Sequence, residues 1–136
     1  MQSLTRRTFF FALVSFQVVA DESGDRTAIT EMFAAVAASL SEDNPSAALK
    51  WFDPSMSSIG QLRAALFALV EKYEVSSAIS ILSIENGNVV LDWFLELKSR
   101  GSFAPVVRRR ADIKCQIVKK GKSWRIISLD PIQFFE

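Results

Sequence analysis

Residues that could do chemistry are concentrated in one stretch of this chain, "VVRRRADIKCQIVKKGKSWRIISLD". It holds Arg108, Arg109 and Arg110 in a row, then Asp112, the single cysteine Cys115, and Lys119, Lys120 and Lys122. Such a run can neutralise phosphates if its cations converge, but in a strand it divides between two faces. Other candidates are Tyr73, the single tyrosine, the carboxylates of Asp53, Asp92 and Glu96, and Asp130 at the end of the same stretch. The 136 residues include no histidine. That removes the usual base near neutral pH and imidazole ligation of metals. One cysteine allows neither an internal disulfide nor a thiolate cluster. Phosphate loops, metal-ligand spacings and nucleophile elbows are missing from the sequence. No catalytic residue, metal or cofactor is therefore assigned.

The elements that must position these residues change character halfway along. From Asp25, the residues Ile29, Met32, Phe33, Val36, Ala37 and Leu40 follow helical spacing on one face. "SEDNP" closes this helix, and Asn44 caps a short second one with Pro45 in its first turn. "DPSM" is a turn, and a third helix from Ser57 or Ser58 carries Leu62, Leu66, Leu69 and Val70 and ends near Tyr73. After residue 74 the period becomes two. "VSSAISILSI", "NVVLDWFLEL", "VVRRRADIKCQIV" and "SWRIISLD" are expected strands. The fold class is α+β.

Asn86-Gly87 is a two-residue hairpin signal. It predicts Ile84 opposite Val89, Leu82 opposite Leu91 and Ser80 opposite Trp93, on one face with Ala78 and Leu95. Ile79, Ile81, Val90, Asp92, Phe94 and Glu96 take the other face. A second turn at Lys120-Gly121 predicts Ile117 opposite Trp124, Cys115 opposite Ile126 and Ile113 opposite Ser128. Arg109 shares the dry side of that hairpin, while Arg108 and Arg110 lie on the other side with Asp112, within reach of Asp92 or Glu96. The arginine triplet reads as a charge-balanced strand face, with Arg109 at a rim or pocket mouth.

Helix, helix, turn, helix and a four-stranded antiparallel meander, with "WFDPSM" before the third helix and Gly121-Lys122-Ser123-Trp124-Arg125-Ile126 opening the last strand, resemble the nuclear-transport-factor-2-like superfamily. The resemblance spans residues 24–136. It implies a cystatin-like cone, in which a curved sheet wraps the helices around an apolar cavity. It also implies a fold shared by enzymes, among them ketosteroid isomerase and polyketide-cyclase-like proteins, and by noncatalytic modules. The enzymes usually place an aspartate, histidine or tyrosine in the cone. Here Asp92 and Glu96 face away from Trp93, while Asp53 and Asp130 precede prolines and suit turns. The expected cavity residues are Trp51, Tyr73, Ser80, Trp93, Arg109, Trp124 and Ser128. Apolar Ile79, Ile81, Val90 and Phe94 on the outer face are expected to form a homodimer interface.

Residues 1–20, "MQSLTRRTFFFALVSFQVVA", read as a signal peptide. Arg6 and Arg7 precede a mostly apolar run shorter than the ~20 residues that span a bilayer, and Ala20 is the expected cleavage edge. Thr5-Arg6-Arg7-Thr8-Phe9-Phe10 resembles the twin-arginine export signal of bacteria. Export by that route or by Sec implies a periplasmic or secreted protein with no membrane span after cleavage; an uncleaved anchor is the alternative. Cleavage removes two of sixteen basic residues and none of fifteen acidic ones, leaving a charge of −1. That is a poor basis for nucleic-acid binding. The leading expectation is an exported, noncatalytic domain binding a small apolar ligand or a protein. The alternatives are a cone-fold isomerase, lyase or hydrolase without histidine, and a structural homodimer module.

Overall fold

The computed structural model describes residues 24–101 and 103–136. Arg6, Arg7 and Ala20 lie outside the described residues. Helix α1 covers residues 24–41 and buries Ile29, Met32, Phe33, Val36, Ala37 and Leu40, the whole expected stripe. Its end is fixed by local chemistry. Asp43 takes a positive φ of 59°, its N–H reaches the Leu40 carbonyl at 3.2 Å, and the Asn44 N–H reaches the Ser39 carbonyl at 2.9 Å. This is a Schellman closure, with an aspartate in the left-handed position. Arg100 holds that aspartate in place through a 2.6 Å ion pair.

Asn44 also caps α2, Pro45–Leu49, by accepting from the Ala47 N–H, and Pro45 fills the first turn as expected. The chain then runs beside the last strand. Ile126 donates its N–H to the Trp51 carbonyl at 2.9 Å, and its carbonyl accepts from the Asp53 N–H at 2.8 Å. Asp53 accepts from the Ser55 N–H at 2.8 Å, a side-chain turn that sends the chain into α3, Ile59–Lys72. That helix buries Leu62, Ala65, Leu66 and Leu69.

The second half is a meander of β1 (Tyr73–Glu85), β2 (Asn88–Ser99), β3 (Val107–Lys120) and β4 (Ser123–Asp130), antiparallel throughout and in the order β1-β2-β3-β4. After a cis Asp130–Pro131 bond, the 3-10 turn Ile132–Phe135 folds back onto α3. The helices and this turn pack on one face of the sheet. Val89, Leu91, Trp93, Leu95 and Leu97 of β2, with Ile113, Cys115 and Ile117 of β3, supply that face.

The expected turn at Asn86-Gly87 forms, with φ of 51° and 79°, and Ile84 pairs with Val89. Gly87 also meets β3 closely: its carbonyl accepts from the Ile117 N–H at 2.9 Å, and a Cβ there would stand 3.0 Å from the Ile117 carbonyl oxygen. Beyond Ile84 the register departs from expectation. A bulge lies between Ile81 and Ser83, so Ile81 faces Leu91 and Ile79 faces Trp93. Leu82, expected inside, is 55% exposed. Ser80 pairs with Asp92 on the outer face and is exposed. Ile79 and Ile81, expected outside, pack against the core. One inserted residue exchanges the faces of a strand, because side chains alternate with period two.

The second hairpin is corrected in the same way. Lys120 pairs with Ser123, so the turn is Gly121-Lys122, and Ile117 faces Ile126 rather than Trp124. An irregularity at Gln116 and Ile117 then brings Cys115 opposite Leu129 and Gln116 opposite Ser128. Leu129 is buried, while Ser128 lies outside and its hydroxyl accepts from the Gln116 N–H at 3.1 Å.

Candidate functional site

The arginine triplet divides as alternation requires. On the outer face Arg110 holds Asp92 through two bonds of 2.9 and 2.6 Å, and Arg108 holds Glu96 at 3.1 Å. Arg110 keeps the Asp92 carboxyl below its ordinary range, chiefly through those bonds, and its own pKa is raised in return. These are satisfied, largely exposed pairs rather than a phosphate cradle.

Arg109 points the other way. Its Nη1 donates to the Phe134 carbonyl at 3.0 Å and its Nη2 to the Glu136 carbonyl at 3.5 Å. Gln61 of α3 adds a bond to the Glu136 carboxylate at 3.0 Å. The segment after β4 is thereby fastened inside the cone. Phe135 meets Trp93 edge-on, with ring centroids 4.9 Å apart, and Phe134 meets Phe135 at 5.1 Å. Each such tilted pair adds about 0.5–1.5 kcal/mol beyond burial. Trp93 is fully buried, and its indole N–H donates to the Ser77 hydroxyl at 2.9 Å. The apolar interior of the cone is therefore occupied by an aromatic cluster drawn from the chain itself.

Beside this cluster a cleft of ≈ 270 Å³ stays open, lined by Ala65, Ala68, Leu69 and Lys72 of α3, Tyr73, Arg109, Phe135 and Glu136. It brings together Tyr73 at the start of β1 and Arg109 near the start of β3. The Lys72 ammonium lies 5.2 Å from the centre of the Tyr73 ring. One wall is apolar and the rim carries two cations, a phenol and a carboxylate. The arrangement suits a small apolar body with a polar end.

The other expected cavity residues do not share this cleft. Trp93 lies in the core, and Ser80 and Ser128 are on the outer face. Trp124 is half-buried, with Lys119 5.9 Å from its ring centre and its buried indole N–H without a partner among the described residues. Trp51 lines a separate depression. Sequence reasoning missed Ala65 and Ala68, whose helical spacing marks only a face, and left the place of Phe134 and Phe135 open, because their partners are distant in sequence. It also missed Ser77, which pairs with Leu95 yet reaches the Trp93 indole.

The remaining reactive groups have structural explanations. Asp53 is 3% exposed and ion-paired with Lys120. The bond from Lys120, followed by those from Ser55, holds its carboxyl well below the usual range. Cys115 is buried opposite Leu129, and desolvation pushes its thiol up to about 12. Among the described residues no cluster of three potential metal ligands occurs, and no helix is long and apolar enough to cross a membrane.

The architecture defines a class: an α+β domain with helices packed on a four-stranded antiparallel sheet, in the manner of cystatin-like and nuclear-transport-factor-2-like cones. No protein-family model and no curated protein matches the chain. Among solved structures, a scytalone-dehydratase-like protein from Novosphingobium aromaticivorans is similar, with a TM-score of 0.68 and 12% identity over 82% of this chain and 85% of that one. A Mycobacterium tuberculosis protein of unknown function gives 0.67 and 11% over 82% and 72%. A Nostoc punctiforme protein with a cystatin-like fold gives 0.50 and 19% over 79% and 92%. At these identities the likeness is one of fold.

Proposed function

We propose that this chain is an exported, noncatalytic domain of the bacterial cell envelope that binds a small, mainly apolar ligand in the cleft between α3 and the segment after β4. The observation that carries the reading is the meeting of Tyr73 and Arg109 over the apolar wall of Ala65, Leu69 and Phe135. Polar groups at one rim of an apolar cleft fix the orientation of a ligand. Export rests on the signal-like residues 1–20 and predicts Asp21 as the N-terminus of the exported protein by mass measurement.

The test is titration with an anilinonaphthalene sulfonate, whose rings suit the wall and whose anion suits Arg109. Saturable fluorescence enhancement is expected, and Ala68→Trp, an exposed position that fills the cleft, should lower it. Equal enhancement in the variant counts against this cleft.

A second reading, a homodimer through the outer face of the sheet, is favoured by Val90 and Phe94. Both lie on the outer side of β2, each half-buried rather than packed in the core. Ile79 and Ile81 take no part in it, because they face inward.

A further inference from the structure

A separate cleft of ≈ 410 Å³ lies where α1, the end of α2 and the start of β4 meet, lined by Ser39, Ala47, Lys50, Trp51, Ser123 and Arg125. It shares no residue with the cleft at Tyr73 and Arg109. Its size falls within the ~300–1,000 Å³ of sites that hold small molecules.

Its charge is one-sided. Lys50 and Arg125 both line it, and no carboxylate does. Five other cations are answered by acids: Arg100 by Asp43, Arg108 by Glu96, Arg110 by Asp92, Lys119 by Asp25 and Lys120 by Asp53. Among the described residues the Arg125 side chain bonds only to the carbonyl of its neighbour Trp124, at 3.0 Å, and Lys50 makes no ion pair. A half-buried guanidinium whose remaining donors are uncommitted is matched by an oxyanion, which it can grip with two parallel bonds. Lys50 adds a second positive charge and Ser123 a hydroxyl.

The backbone behind the aromatic wall is held in place. Trp51 is half-buried, and its carbonyl accepts from the Ile126 N–H at 2.9 Å, one residue beyond Arg125. The Asp53 N–H bonds back to the Ile126 carbonyl at 2.8 Å. These two backbone bonds hold the segments that carry Trp51 and Arg125 next to each other before any ligand arrives, which lowers the entropy cost of binding.

We infer that this cleft is a binding site for a small planar ring bearing an oxyanion, phosphate or carboxylate, with the ring against Trp51 and the anion between Arg125 and Lys50. The inference is independent of the ligand proposed for the other cleft. It can be tested by following the Trp51 indole N–H resonance, assigned with Trp51→Phe, during titration with phenyl phosphate, benzoate, inorganic phosphate and benzyl alcohol.

Saturable shifts are expected with phenyl phosphate or benzoate, and the tighter of the two identifies the anion class. Lys50→Gln, at an exposed position, should weaken binding by about threefold to tenfold, and the double change Lys50→Gln/Arg125→Gln by at least about tenfold. A circular-dichroism spectrum like that of the parent protein establishes that each variant is folded. Equal affinity in Lys50→Gln overturns the proposal. So do a shift with benzyl alcohol as strong as with the anions, inorganic phosphate binding as tightly as phenyl phosphate, and no saturable shift at millimolar concentration.

Discussion

Arg109 of β3 donates from Nη1 to the Phe134 carbonyl at 3.0 Å, across 25 residues of sequence. The bond holds the 3-10 turn against Trp93 and so decides what fills the cone. It also places the guanidinium on the rim of the cleft that Tyr73 shares. One side chain thus serves both the packing of the interior and the polar end of the candidate site.

Removing that clamp should cost less than removing what it holds. Arg109→Met keeps the stem and deletes the donors to Phe134 and Glu136, with an expected loss of about 1–3 kcal/mol. Phe135→Ala empties part of the core and should cost about 3–5 kcal/mol. Urea unfolding of both variants checks the order. A Phe135→Ala protein as stable as the parent would mean that the turn does not dock in the cone.

The bulge in β1 makes neighbouring residues respond in opposite ways. Leu82→Lys places a charge where the side chain is already 55% exposed, and stability should change by no more than about 0.5 kcal/mol. Ile81→Lys puts a charge on the inner side opposite Leu91 and should cost at least about 1.5 kcal/mol. Regular alternation from the Asn86-Gly87 turn predicts the reverse order, so chemical denaturation of the two variants separates the registers.

Acid should weaken the domain through Asp53 and Asp92. Both carboxyls titrate below their unfolded value of 3.8, Asp53 mainly through its bond from Lys120 and Asp92 mainly through Arg110. A depressed folded pKa means that the unfolded chain takes up the proton first. The stabilisation is therefore present above about pH 4 and is lost as pH falls through the folded values. Stability measured from neutral pH downward should decline below about pH 4, and Asp53→Asn should flatten that decline. An identical acid profile in the variant would remove Asp53 as a cause.

The outer face offers a test of self-association. Phe94 lies opposite Arg110 and Ala78 on that face, between the Arg110–Asp92 and Arg108–Glu96 pairs. Sedimentation at tens of micromolar should show a dimer, and Phe94→Asp should yield a monomer. A parent protein already monomeric under those conditions would leave the outer face without the proposed partner.

The sequence by itself determined the elements and much of their patterning. The stripe of α1, the cap at Asn44, the turn at Asn86-Gly87 and the division of the arginine triplet all follow from interactions within a few residues or from the periods of helix and strand. The sequence also put Arg108 and Arg110 within reach of Asp92 or Glu96; the register of β2 on β3 then selected Glu96 for Arg108 and Asp92 for Arg110. Only the tertiary structure decided the faces of β1 and β4. The irregularities at Leu82 and Ile127 leave no unambiguous local mark, yet each shifts the register and moves Ser80 and Ser128 outside. Tertiary structure alone also decided the fate of "IQFF". An apolar segment must be buried, but whether it covers the outer sheet or fills the cone depends on where unfilled volume and a donor lie. Trp93 and Arg109 supply both on the inner side, and they come next to Phe134 and Phe135 only when the sheet has closed around α3.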